Sequence, residues 1–257
     1  MHRLREALGE GRAAFGAWTI LPGSVPAELM GAVGFDCVIV DLQHGAVTTA
    51  DLVPIVQALQ LGGTPTVVRV PWTDEPTIMR VLDFGAVGVI VPMVNTPEEA
   101  ARAASAARYP PLGIRSFGPT RGAFRGTDAA NEDVVVMVMI ETAEGLANVE
   151  AIAATDGVDG LFVGPMDLGL ALGEPLDVTG TSAPVLEALD AVVAAARRAG
   201  RFVGTVSTGA EQARDLVGRG LQFVVLGADA GYLRAGTARE RSTLAELRES
   251  FPGAGAS

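Results

Sequence analysis

Short apolar runs, rich in β-branched residues, alternate with amphipathic segments along the whole chain. Between the runs, apolar residues recur every three or four positions, which predicts helices. The predicted strands are Phe15–Ile20, Cys37–Asp41, Thr66–Val70, Val87–Val91, Val134–Glu141, Gly160–Val163, Phe202–Val206 and Phe223–Gly227. The clearest predicted helices are Ala50–Leu61, Glu75–Phe84, Pro97–Ala107 and Val185–Ala199.

This alternation predicts an α/β fold, a single (β/α)8 TIM barrel that spans residues 1–257 as one domain. A doubly wound sheet is the alternative, but no Gly-x-Gly-x-x-Gly motif follows any predicted strand. Two long segments interrupt the alternation, Tyr109–Asp133 and Gly173–Pro184, and loops of this length are more often functional than idle. Residues from about 250 to 257 are predicted to form a disordered tail.

The composition excludes several classes of protein. The net charge is −11 and the chain has no lysine, so all 19 basic side chains are arginines. Without a lysine amine there is no Schiff-base aldolase, no pyridoxal-phosphate enzyme and no P-loop. The acidic balance argues against binding to nucleic acid. A charged N-terminal segment, the lack of a long apolar run and a single cysteine, Cys37, predict a cytosolic protein that binds no membrane.

Polar side chains stand at the carboxyl ends of the predicted strands, the face on which barrel active sites lie. Strand two ends in Asp41 and is followed by His44, strand three carries Arg69, strand five ends in Glu141, and strand six runs into Asp167. Each residue alone could cap a helix or form an ion pair. As a set on one rim, they are harder to explain in that way.

The chemistry of this set predicts proton abstraction next to a carbonyl group. Two carboxylates without a nearby cysteine or second histidine indicate an oxygen-only site for Mg²⁺ or Mn²⁺. Arg69 offers a fixed cation for a carboxylate or a developing oxyanion. His44 exchanges protons near neutral pH, and Asp41 is placed to hold its tautomer.

Six motifs stand at the predicted strand ends or in the adjoining loops. They are Phe35–Gly45 (FDCVIVDLQHG), Val67–Pro71 (VVRVP), Val91–Asn95 (VPMVN), Tyr109–Arg115 (YPPLGIR), Ile140–Thr142 (IET) and Gly160–Leu168 (GLFVGPMDL). In this order they closely resemble the HpcH/HpaI aldolase/citrate lyase family, the class II pyruvate aldolases typified by 4-hydroxy-2-oxoheptanedioate aldolase. The resemblance extends from about Phe15 to Leu233.

The resemblance implies a metal-dependent aldolase that joins or cleaves a 2-oxo acid and an aldehyde through an enolate. Glu141 and Asp167 would hold the divalent metal, with Mg²⁺ and Mn²⁺ as the first candidates and Co²⁺ as a further one, and no organic cofactor is implied. Arg69 would stabilise the enolate. His44, oriented by Asp41, would act as base in cleavage and as acid in condensation. The expected substrate-binding residues are Trp18, Arg69, Met139, Gly164, Pro165, Met166 and Asp167.

The resemblance also implies a homohexamer in which part of Asp229–Arg248 lies against a partner subunit. The sequence departs from the common family pattern at Gln43, Met139 and Met166, where Glu, Gln and Ala are frequent. These changes predict a less polar pocket, so hydroxypyruvate is as credible a donor as pyruvate. The alternatives are a citrate-lyase-like or malyl-CoA-type lyase and a non-catalytic barrel that binds a 2-oxo acid.

The arginines of the long segment Tyr109–Asp133 suggest a further role. One hypothesis is that Arg121 or Arg125 reaches the mouth of the pocket and selects aldehydes that carry a distal carboxylate, which a guanidinium binds bidentately. The simpler interpretation is that both arginines pair with surface acids or with a neighbouring subunit.

Overall fold

Eight parallel strands close into a barrel in the computed structural model, which describes residues 2–121 and 124–251. Each strand pairs with the next, and β8 pairs with β1. The strands are β1 (Ala14–Thr19), β2 (Cys37–Asp41), β3 (Thr66–Arg69), β4 (Gly88–Val91), β5 (Val135–Ile140), β6 (Gly160–Val163), β7 (Phe202–Val206) and β8 (Phe223–Ala228). The predicted barrel is confirmed, and the predicted strand bounds are correct to within one residue at either end.

Helices connect the strands on the outside of the barrel. They are α1 (Arg3–Gly9), α2 (Ser24–Gly31), α3 (Leu52–Leu61), α4 (Glu75–Asp83), α5 (Pro97–Ala106), α6 (Thr127–Asp133), α7 (Ala143–Ala147), α8 (Val149–Ala153), α9 (Pro165–Ala171), α10 (Ala183–Ala199), α11 (Ala210–Gly218) and α12 (Asp229–Ser250). The predicted helix from Ala50 begins with a 3-10 turn, Thr49–Asp51, and α6 occupies the end of a segment predicted to be a loop. None of the helices in the described part of the chain combines the length and apolar composition that a membrane crossing requires.

The strands are buried because side chains cover both of their faces. Large side chains fill the interior of the barrel: Trp18, Ile39, Ile90, Met137, Phe162 and Phe223. Gly160 and Gly204 make room for aromatic rings, since an added β-carbon would lie 2.4 Å from Phe202 and 2.8 Å from Phe223, respectively. The interior is therefore a packed core and not a pore.

Helix α1 closes the amino end of the barrel. Leu4 and Ala7 are fully buried and pack with the interior side chains. Arg5 donates to the backbone carbonyls of Glu132 and Val134, at the start of β5. Because this end is closed, the opposite end, where the strands finish, is the end that is open to a substrate.

The last helix, α12, leaves the barrel instead of packing on it. Asp229 is buried, and its carboxylate accepts hydrogen bonds from the Thr19 hydroxyl and from the backbone N–H groups of Ile20 and Leu21. This carboxylate fastens the end of β8 to the end of β1. Beyond Ala230 almost every residue of the helix is exposed. Ser250 ends the helix, and residues 252–257 of the predicted tail lie outside the described residues.

Candidate active site

A cleft of about 210 Å³ opens at the carboxyl ends of the strands. It is smaller than the roughly 300–1,000 Å³ of pockets that enclose drug-sized ligands, so it suits a compound of few atoms. Most of the residues predicted from the sequence line it: Trp18, Asp41, Arg69, Met139, Glu141, Gly164, Pro165, Met166 and Asp167.

Arg69 is held in the cleft by two neighbouring strand ends. Its Nε and Nη2 atoms donate to the two carboxylate oxygens of Asp41 at 2.9 and 2.6 Å. Its guanidinium carbon lies 4.6 Å from the centre of the Trp18 ring, and this cation–π contact fixes the plane of the group. The two-point ion pair leaves Nη1 without a hydrogen-bond partner among the described residues. Arg69 therefore keeps N–H donors for a bound anion.

Glu141 follows β5 directly and is only 3% exposed. Its Oε1 atom accepts a hydrogen bond from the backbone N–H of Met93 at 2.7 Å. Burial raises the pKa of the Glu141 carboxyl, and the nearby charge of Asp167 adds to this shift, while the Met93 N–H and Arg69 act in the opposite direction. A buried carboxylate beside a second carboxylate favours a positive charge between them.

Asp167 lies in the first turn of α9, three residues after Gly164, the residue that precedes this helix. Its side chain is exposed and has no hydrogen-bond or ion-pair partner in the described part of the chain. A β-carbon at Gly164 would lie 2.4 Å from Oε2 of Glu141, so the glycine lets this carboxylate approach the turn that carries Asp167. Glu141 Oε2 itself receives no hydrogen bond from the described residues.

The carboxylates of Glu141 and Asp167 are suitable ligands for a small divalent cation. The described residues contain no group of three or more His, Cys, Asp or Glu side chains that could hold a metal ion, so Glu141 and Asp167 would be its only side-chain ligands of these types. Mg²⁺ is commonly held by one or two carboxylates, with substrate and water oxygens in the remaining positions. The lack of a side chain at Gly164 leaves room for the Glu141 carboxylate to lie against the turn that carries Asp167.

The structure corrects the expected link between Asp41 and the imidazole of His44. Asp41 Oδ1 accepts from the backbone N–H groups of Gln43 and His44, and both of its oxygens bind Arg69. The carboxylate thus shapes the turn after β2 and does not hold a histidine tautomer. His44 is exposed at this rim, outside the set of residues that line the cleft, and its imidazole has no partner among residues 2–121 and 124–251.

The two loop arginines, Arg121 and Arg125, lie at the opposite end of the barrel. They line a separate cavity together with Val87 and Val134, which precede β4 and β5. Arg121 donates to the Val53 carbonyl and to Gln60, and Arg125 pairs with Asp133. A segment that joins a helix to the next strand of a barrel runs at the amino end, so within one chain these residues do not reach the cleft.

Several residues at the cleft were not identified from the sequence. Ile20, Phe162, Val206 and Ala228 complete its lining, at or near the ends of β1, β6, β7 and β8. They are apolar, so a search for polar strand ends passes over them. The backbone N–H of Met93 was also missed, although its position after β4 places it on the same rim.

The chain is similar to known proteins over almost its whole length. Residues 17–235 match the sequence model of the family described as HpcH/HpaI aldolase/citrate lyase. The chain is 39% identical over 252 residues to a hydroxypyruvate/pyruvate aldolase of Rhizorhabdus wittichii, which covers 96% of this chain and 99% of that protein. It is 38% identical over 244 residues to a 5-keto-4-deoxy-D-glucarate aldolase of Klebsiella pneumoniae, covering 92% of this chain and 94% of that protein.

A solved structure supports the same relationship. A HpcH/HpaI aldolase/citrate lyase family protein from Burkholderia cenocepacia superposes with a TM-score of 0.86 at 32% sequence identity. The superposition covers 96% of this chain and 100% of that one.

Proposed function

The chain belongs to the HpcH/HpaI aldolase/citrate lyase family, and on this basis we propose that it is a divalent-metal-dependent aldolase that joins or cleaves a 2-oxo acid, pyruvate or hydroxypyruvate, and an aldehyde. The prediction of an aldolase or lyase is confirmed by aldolase relatives that cover most of the chain. The identity of the substrates and the roles of individual residues are part of the proposal. One observation carries it: buried Glu141 presents, next to Asp167 and Arg69, a carboxylate oxygen to which none of the described residues donates a hydrogen bond.

Glu141 and Asp167 would hold the metal, for which Mg²⁺ and Mn²⁺ are the best candidates and Co²⁺ is a further one. When bound, the cation supplies positive charge beside the ketone and carboxylate oxygens of the 2-oxo acid. The backbone N–H groups of Met166 and Asp167 would bind the carboxylate. Arg69, fixed by Asp41, would donate from its remaining N–H groups to the oxygen that becomes negative when the enolate forms.

His44 is the proposed proton carrier. The only other histidine, His2, donates to the Asp133 carbonyl at the amino end of the barrel, far from the cleft. Burial lowers the pKa of the His2 imidazole, and its position at the amino end of the barrel keeps it away from a substrate in the cleft. His44 lies three residues after Asp41, on the rim of the cleft. It would take a proton from the hydroxyl of the substrate during cleavage and return it during condensation.

The apolar part of the lining supports a small, weakly solvated substrate. Five apolar side chains line the cleft together with the two carboxylates: Ile20, Met139, Phe162, Met166 and Val206. Such walls exclude water, which strengthens the electrostatic interactions of the charged groups with a developing enolate.

A donor-by-acceptor screen tests the proposed function. Pyruvate, hydroxypyruvate and 2-oxobutyrate are incubated with a panel of aldehydes, before and after EDTA treatment and after addition of Mg²⁺, Mn²⁺ or Co²⁺. We expect carbon–carbon bond formation that EDTA abolishes and a divalent metal restores. Activity that survives chelation would contradict the proposal, as would cleavage only of coenzyme A thioesters. Binding of a 2-oxo acid without turnover would identify a non-catalytic barrel.

We also propose that the protein is a homo-oligomer in which α12 packs on a second copy. A helix that follows β8 in a barrel normally covers β8 and β1. Here an apolar groove of about 380 Å³ stays open at that place, lined by Phe15 of β1, Leu226 of β8, and Ala213 and Val217 of α11. The helix that should cover it carries exposed apolar side chains, Leu244 and Leu247 among them.

A hexamer is the assembly that the resemblance to the family implies. We further propose that one domain spans the chain and that the protein works in the cytosol. Cys37, its single cysteine, is buried and so is protected from disulfide exchange.

A charge on the apolar face of α12 should dissociate the assembly. Leu247→Asp places a carboxylate where we expect a leucine to be buried, and full burial of a leucine is worth about 1.5–3 kcal/mol. Light scattering after gel filtration should show the mass falling from a multiple of 26.4 kDa towards that of one chain. Ser242→Asp adds the same charge on the opposite face of the helix and should leave the mass unchanged. A wild-type protein that is monomeric would contradict the proposal.

A further inference from the structure

Met93 has an unusual backbone conformation. Among the described residues it is the only non-glycine residue with a positive φ, at 56°. Residues with a β-carbon rarely adopt this left-handed conformation, so the surrounding contacts must hold it in place. In this conformation its N–H points at Glu141 and donates to Oε1 at 2.7 Å. The strained turn after β4 thus orients the buried carboxylate that follows β5.

Asn95 is the side chain that holds this turn. Its Nδ2 atom donates to the Met93 carbonyl at 3.2 Å, and its Oδ1 atom accepts from the hydroxyl of Thr142, the residue after Glu141. A carbonyl oxygen can only accept, so the orientation of the amide is fixed by its partners. The Thr142 hydroxyl in turn accepts from the N–H of Gly145 at the start of α7.

These contacts form a closed circuit around Glu141. The circuit runs from the Glu141 carboxylate to the Met93 N–H, from the Met93 carbonyl to the Asn95 amide, and from that amide to Thr142. Covalent bonds close it between Thr142 and Glu141. Two loops that are 48 residues apart in the sequence are thereby joined at the carboxylate.

We propose that Asn95 is a positioning residue for Glu141: it fixes the Met93 turn so that one carboxylate oxygen is taken by the backbone and the other is presented to a divalent cation. This inference rests on the proposed function, in which Glu141 is a metal ligand. Side chains that orient a metal ligand typically change metal affinity by about 10- to 100-fold when they are removed.

The test measures Mn²⁺ binding to the full-length protein by titration calorimetry. Asn95→Ala removes both side-chain hydrogen bonds and should weaken Mn²⁺ binding about tenfold or more. Thr142→Val, which removes the hydroxyl at similar volume, should act in the same direction, and Thr142→Ser should restore the affinity. Because the ligands themselves are intact, kcat at saturating Mn²⁺ should recover to a large extent in all of these variants.

Asn131→Ala is the matched control. Asn131 is a buried asparagine that also makes two hydrogen bonds to backbone, with the N–H and the carbonyl of Tyr109, at the amino end of the barrel. Its loss should lower the melting temperature without changing the Mn²⁺ affinity. If Asn95 only stabilises the fold, Asn95→Ala should likewise lower the melting temperature without changing the Mn²⁺ affinity.

The outcomes separate the two proposals. If the wild type does not bind Mn²⁺, or Glu141→Gln binds it equally well, the proposed metal site is wrong. If the wild type binds and Glu141→Gln does not, but Asn95→Ala and Thr142→Val bind like the wild type, the positioning role is refuted. Should Asn95→Ala fail to fold, the comparison of Thr142→Val with Thr142→Ser decides the question.

Discussion

Glu141→Gln should abolish aldol cleavage and condensation while the barrel stays folded. The glutamine keeps an oxygen that can accept the Met93 N–H, but it removes the negative charge that would bind the cation. Loss of several kcal/mol of charge stabilisation corresponds to a fall in rate of roughly a thousandfold or more. Asp167→Asn should lose activity in the same way, because it removes the second charged ligand.

The same substitution should not destabilise the metal-free protein. Glu141 is buried and its pKa is raised by desolvation, so its ionised form is held at a cost in folding free energy. A neutral glutamine avoids that cost, and we expect a melting temperature equal to or above that of the metal-free wild type. If the Glu141 carboxylate served only to stabilise the fold, Glu141→Gln would instead have a lower melting temperature than the wild type.

Glu144→Gln provides the control for charge. Glu144 lies three residues after Glu141, at the start of α7, and is exposed. Its neutralisation should change neither the activity nor the dependence on metal. Full activity of metal-depleted Glu141→Gln protein would refute the proposed site.

Arg69→Ala should suppress enolisation of pyruvate even when no aldehyde is present. Arg69 is the proposed donor to the enolate oxygen, and removal of such a donor typically costs 10²–10³ in rate, about 3–4 kcal/mol. Exchange of the pyruvate methyl protons with deuterium, followed by NMR, measures this step directly. The exchange rate should fall by about this factor with metal at saturation.

Two variants separate this role from a loss of structure. Arg121→Ala removes an arginine that also makes two hydrogen bonds, but at the amino end of the barrel, and it should exchange pyruvate protons like the wild type. Arg69→Lys keeps the charge without the two-point pairing to Asp41 and should recover only part of the rate. Wild-type exchange in Arg69→Ala would mean that the arginine has been assigned the wrong role.

Local sequence patterns were sufficient to predict the barrel and most of the residues that line the cleft. Parallel barrel strands are buried on both faces, so each is a continuous apolar run whose ends are visible in the sequence. Since all eight strands point the same way, residues such as Asp41, Glu141 and Asp167 had to meet at one end, however far apart they stand in the chain. The cleft could therefore be predicted from strand ends alone.

The same topological rule places Arg121 and Arg125 away from the cleft, contrary to the hypothesis that one of them selects the aldehyde. Their segment joins a helix to the following strand, and such segments lie at the amino end of the barrel. The alternation of strands and helices therefore already indicates the end of the barrel at which these arginines lie. The prediction that α12 reaches a partner is different, because a single chain does not test it.

Only the tertiary structure determined which hydrogen-bond partner each polar group at the carboxyl ends of the strands binds. Asp41 lies close to His44 in the sequence, yet its oxygens are taken by Arg69 and by two backbone N–H groups, because β2 and β3 are neighbours in register. The left-handed turn at Met93 and its support by Asn95 likewise depend on two loops that meet only when β4 and β5 pair. Hydrogen bonds are short-range and directional, so sequence spacing cannot predict which donor a carboxylate will bind once the chain has folded.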